Sequence, residues 1–223
     1  MRWVDRGLEP AGVTEYARQY TQGWIDYFQN GVGERPTDFL WVLFRPTMGS
    51  RTNNICWYCE RQCDADAESG GLASTVDHFR PRSRFPQLAY EWTNWVYSCH
   101  ACNVENKGDL WPDSGYVDPC ATDVAERPDR YFDYDAQTGE IIPKSGLTPD
   151  ARQKALHTIN DLGWNKLDVM FYRIDQTRTF TADLLALPTG DRQALIALFT
   201  EQPVEYAGAI GMVAEQLRQA GRI

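Results

Sequence analysis

Tyr16, Tyr20, Trp24 and Phe28 recur every fourth position, which puts four aromatic rings on one face of a helix over residues 14–29. Such a stripe reads as a core-facing surface rather than a base-stacking platform. Asn30-Gly31 ends it. Pro36-Thr37-Asp38 predicts the start of a shorter helix carrying Phe39, Leu40, Val42 and Leu43, closed before Pro46. The pattern then changes. A polar stretch over 49–55 precedes a strand around His78, a loop anchored by Phe85 and Leu88, and a second strand from Trp92 to Tyr97. A short helix from Asn103 must stop near Gly108. Further on, 131–134 and 140–142 flank a turn and predict a hairpin. Thr148-Pro149 has the chemistry of a helix start, and the apolar positions Ala151, Ala155, Ile159 and Leu162 lead to a stop at Gly163. More helical faces follow at 167–174, 191–199 and 204–220. The whole is an α+β chain in three regions: N-terminal helices (1–48), a core (49–120), and a hairpin with a helical C-terminal part (121–223).

Candidate chemistry is concentrated in the middle region. Cys56 and Cys59, with Cys99 and Cys102, have the doubled C-x-x-C layout of a closed tetrahedral zinc site. A redox dithiol explains one such pair but not two. Cys63 is an alternative ligand, and Cys120 stands alone as a small buried residue. Between the pairs lie Asp77-His78-Phe79-Arg80-Pro81 and Asn94, and Asn103 follows the second pair directly. Neighbouring strand residues face opposite ways, so Asp77 and His78 serve one site only where the strand ends, as Pro81 implies. A neutral imidazole can take a proton from water, and the Asp77 and Asn103 oxygens suit a hard divalent cation. Knuckle, strand, loop, strand, knuckle and helix together describe a zinc-knuckle ββα-metal arrangement.

These residues resemble an HNH endonuclease (a His-Me finger fold) whose ββα core lies between two zinc knuckles. Cys-x-Tyr-Cys-Glu at 56–60, 77–83, 89–94 and Cys102-Asn103 with Lys107-Gly108-Asp109 are similar, more narrowly, to the nuclease subunit of Septu and retron-associated anti-phage systems. The likeness extends over roughly 50–175 and is most specific in the core. It implies metal-dependent hydrolysis of phosphodiester bonds, DNA in the first place. His78 would be the general base and Asn94 the residue that positions it. Asp77 and Asn103 would hold Mg²⁺ or Mn²⁺, with Asn103 standing where other members have His. Lys107, Arg80, Arg82 and Arg84 are the expected phosphate contacts.

Charge complicates this. A formal net charge of −9 is adverse for a nucleic-acid binder, so affinity must come from a local basic patch, a metal or a partner. The resemblance implies an ATPase partner subunit, with the N-terminal and C-terminal helices as docking faces, since this chain has no Gly-rich phosphate loop. RNA as substrate, or a zinc-stabilised adaptor without catalysis, are the competing readings. No apolar run reaches membrane-span length and the N-terminus lacks a signal-peptide layout, so no membrane contact and a cytoplasmic location are expected.

Overall fold

The computed structural model describes all of residues 1–223 except Asp38, Glu68 and Ser69; of the expected helix start at Pro36-Thr37-Asp38, Asp38 lies outside the described residues and Pro36 and Thr37 are not helical. Helix α1 (Val13–Ile25) continues as a wider turn over Asp26–Asn30 and ends at Gly31, whose φ of 67° is the left-handed stop that glycine supplies at least cost. The next segment departs from its expected boundary. A 3₁₀ turn over Leu40–Phe44 runs straight into α2 (Arg45–Ser50), and Pro46 starts that helix instead of closing the one before. A first-turn proline forfeits no intrahelical bond, because the first N–H groups of a helix have no partner in any case.

The core is an antiparallel pair, β1 (Ser74–His78) and β2 (Trp95–Cys99), in the register Ser74↔Cys99 to His78↔Trp95. Asn94 was expected within the second strand; it lies in the 3₁₀ turn Trp92–Asn94 just before it. Its side chain explains the break. Asn94 Oδ1 accepts from the Arg80 N–H (2.9 Å), and its Nδ2 donates to the carbonyls of Arg80 (3.0 Å) and Leu88 (3.2 Å). These bonds replace strand pairing and tie both ends of the 79–94 loop together. After Cys99 the chain turns into a wide helix over Ala101–Lys107, stopped at Gly108 with φ 48°.

The second hairpin, β3 (Phe132–Tyr134) with β4 (Ile141–Pro143), is followed by α3 (Pro149–Asp161), capped by the Thr148 hydroxyl. Then come α4 (Leu167–Ala186), α5 (Thr189–Glu201) and α6 (Ala207–Gln219). Buried Arg173 of α4 donates to the carbonyls of Gly139 and Trp164, joining helix and hairpin. The C-terminal helices also hold the first cysteine pair. Buried Glu60, between the cysteines and Arg61, accepts from the Gly208 N–H at 3.1 Å and from the Arg2 N–H at 2.7 Å. A Cβ at Gly208 would meet the Glu60 carboxylate at 2.9 Å, so the close approach requires glycine there. Buried apolar residues from Val13 to Leu217 form one connected core that crosses all three regions. Among the described residues no helix is long and apolar enough to cross a membrane.

Candidate active site

Two tight turns make the thiol cluster. The Glu60 N–H donates to the Cys56 carbonyl at 3.0 Å, and Glu60 itself takes a left-handed φ of 61°, so Cys59 is folded back towards Cys56. The Trp57 N–H bonds the Tyr97 carbonyl, docking this turn on β2, and the Cys99 N–H points at Cys56 Sγ (3.3 Å). The sulfurs of Cys56, Cys59, Cys99 and Cys102 all lie within 4.8 Å of one another, and all four residues are buried. Cys59 and Cys99 Sγ are 3.7 Å apart. A tetrahedron of sulfurs about 2.3 Å from zinc has edges of about 3.8 Å, so this donor set fits the ion. Arg61, with its side chain largely covered, supplies a positive charge against Cys59 and Cys99 that offsets the excess of four thiolates over one divalent ion. Cys63 is buried beside Cys56 but outside the group of four; Cys120 is buried elsewhere, its N–H on Asp118.

β1 ends at His78, and both Asp77 and His78 line one cleft of about 280 Å³ with Arg82, Asn103 and Asp109. His78 Nε2 is 2.8 Å from the Ala89 carbonyl, which only accepts, so Nε2 carries the proton. Burial first, then the Arg82 charge, push the pKa of the ring well below the usual histidine range. The imidazole is therefore neutral and Nδ1 keeps its lone pair. The Trp41 ring meets His78 edge-on with centroids 4.6 Å apart, and Trp95 Nε1 shares the Ala89 carbonyl at 3.0 Å. The ring cannot swing without breaking one of these contacts.

Asp77 is buried, and burial raises its pKa against the opposing pull of Lys107. Tyr58 Oη donates to Oδ2 at 2.6 Å, and Lys107 Nζ donates to Oδ1 at 3.0 Å and to the His78 carbonyl at 2.9 Å. Asn103 Nδ2 donates to Thr75 Oγ1 at 3.1 Å, anchoring the amide to β1. Its Oδ1 accepts no hydrogen bond among the described residues, leaving one carboxylate and one amide oxygen as hard donors in the cleft. Tyr58→Phe removes the Oδ2 donor. It should cost about 1.5–3 kcal/mol, the usual worth of a hydrogen bond to a charged group, in urea titration with zinc content unchanged.

The four expected phosphate contacts do not converge. The Lys107 ammonium is 1% exposed and paired with Asp77, so it faces inward. Arg80 is exposed on another cleft, near the rings of Phe85 and Trp111, and Arg84 donates to the Trp111 carbonyl. Arg82 alone of the four lines the His78 cleft. Sequence reasoning missed Trp41 and the role of Tyr58, although Tyr58 sits inside the first cysteine pair. A larger cavity of about 690 Å³, between the N-terminal segment and α6, shares no residue with this site.

Residues 56–108 match the family model of the HNH endonuclease. The Septu protein PtuB of Bacillus thuringiensis is 42% identical over 102 residues, which cover 45% of this chain. The match spans 35% of that relative's length, about a third of it.

Proposed function

We propose that residues 56–108 are a ββα-metal nuclease core that hydrolyses phosphodiester bonds of DNA, and that the chain acts in anti-phage defence. The observation that carries this reading is a neutral, tautomer-fixed His78 beside Asp77 and Asn103 in one open cleft. The HNH match and the likeness to a Septu protein support it from outside the geometry.

In this reading His78 Nδ1 takes a proton from a water molecule as its oxygen attacks phosphorus. The bond from phosphorus to the 3′ oxygen breaks, that oxygen gains a proton from solvent, and His78 returns its proton to solvent. Asn94 positions the base by clamping the loop that carries the Ala89 carbonyl. Asp77 and Asn103 would hold magnesium or manganese, which supplies charge neutralisation at the phosphate when bound. Arg82, in the wall of the same cleft, contacts the nucleic-acid backbone. With a net charge of −9, the chain relies on a partner, an ATPase subunit, for the rest of its nucleic-acid surface.

The test is incubation of purified protein with plasmid DNA and with RNA, with magnesium or manganese, then with EDTA. Expected are cleavage of DNA with either ion, loss of cleavage in EDTA and recovery on adding the ion back. Cleavage of RNA alone would change the substrate. No cleavage of either, with or without the partner subunit, would leave a binding module.

A further inference from the structure

Arg82 owes its surroundings to residues outside the HNH-matched segment. Its guanidinium carbon lies 4.6 Å from the Trp24 ring centroid and 4.5 Å from that of Trp41. The two indoles are 5.7 Å apart and inclined at 51°, so the guanidinium rests in the angle between them. Trp41 also packs on His78, so one aromatic pair sets the place of both the cation and the base. Stacking of this kind restrains a planar guanidinium without using its donors.

One of those donors remains unanswered. Arg82 Nη1 is buried with no hydrogen-bond partner among the described residues, and so is Trp24 Nε1. Buried donors without acceptors are costly, and an arginine is a poor choice for filling an apolar corner. A second guanidinium is near: after burial itself, the Arg35 charge does most to bring the Arg82 pKa down to about 10, ahead of the opposing pull of Asp109 and Asp77. A stacked cation in the wall of an open cleft, with one idle guanidinium donor and a second positive charge within electrostatic reach, lacks one thing, a singly charged group rich in acceptor oxygens.

We propose that Arg82 and Arg35, set by Trp24 and Trp41, bind a phosphodiester group of the nucleic-acid backbone next to the one being cut. Residues 13–48 are then part of the substrate cleft rather than a support beneath it. The assignment rests on the nuclease reading for the bond that is cut, but not for the binding. It also gives an acidic chain a local positive patch where the strand must lie.

The test is fluorescence anisotropy of a labelled DNA duplex with the full zinc-loaded chain in buffer without magnesium or manganese, over a series of salt concentrations. Arg35→Gln and Arg82→Gln should each weaken binding by about 10-fold and make the salt slope shallower by about one. Arg82→Lys keeps the charge but loses the planar fork, so it should weaken binding while leaving the slope at its wild-type value. Wild-type affinity and slope in both Gln variants would overturn the proposal. Arg35 is exposed, so its variant decides the matter if Arg82→Gln fails to fold. Tryptophan fluorescence that titrates with inorganic phosphate, alongside duplex binding indifferent to both arginines, would mark a site for free phosphate and reject the nucleic-acid assignment. Withholding magnesium and manganese silences cutting, so the two readings fail separately. Cleavage surviving His78→Ala would remove the base assignment and leave this site, and unchanged binding in the arginine variants would do the reverse.

Discussion

A Cys99→Ser protein is expected to purify without zinc and to lose the cooperative fold of residues 56–108. Cys99 does three things at once. It ends β2 opposite Ser74, its N–H points at Cys56 Sγ, and its own sulfur is 3.7 Å from that of Cys59. A serine hydroxyl is a far poorer zinc ligand than a thiolate, and the three remaining thiols would stay buried with no ion to hold them. Structural zinc is worth about 10–16 kcal/mol of apparent binding energy in zinc-finger peptides, against a total stability of about 5–15 kcal/mol for an ordinary domain. Losing the ion therefore removes an amount comparable to the whole fold. The measurements are zinc per chain and the urea midpoint, with Cys120→Ser as the control that should alter neither zinc nor the cluster. One equivalent of zinc and a wild-type midpoint in Cys99→Ser would refute the assignment.

His78→Ala should lower cleavage on the order of 10²–10⁴-fold, the usual worth of a general base, with zinc content and melting temperature near wild type. The side chain adds little that the fold needs beyond its contacts with Trp41 and the Ala89 carbonyl, and Trp95 Nε1 continues to occupy that carbonyl. The cleavage proposed for the wild-type protein should persist as pH falls from 8 to about 6.5, because burial and the Arg82 charge hold the ring neutral below the ordinary histidine range. The same shift acts on stability. The unfolded chain takes up a proton below about 6.5 that the folded ring refuses, so stability is lost as pH falls through that point towards the lower folded pKa. Single-turnover cleavage across a pH series checks the first statement, and urea titration at matching pH checks the second. A base that titrates near its free value in both would mean that His78 is exposed to water in solution.

The parts of this molecule legible in its sequence are those written in short spacing. Two C-x-x-C turns announced four convergent sulfurs, and Thr148-Pro149 marked the start of α3 because capping acts within three residues. The strand expected around His78 is β1, and the aromatic stripe from Tyr16 located α1. The illegible parts depend on distance along the chain or on direction. Trp41 meets His78 across 37 positions, and nothing local to either residue signals the pairing. Lys107 and Arg82 were grouped as surface cations by residue type, yet one is sealed against Asp77 and the other rests on indoles. Arg80 and Arg82 flank a single proline and diverge into different clefts, since Asn94 clamps the backbone at Arg80 and fixes the turn there.

Lys107 gives Asp77 a countercharge that no chelator or dialysis step can strip. With Tyr58 on the other oxygen, the carboxylate is neutralised before anything enters the cleft. The cleft around Asp77 can thus keep its shape in a buffer free of magnesium and manganese. Any cation arriving there must compete with a tethered ammonium, a resident of the site at high effective concentration.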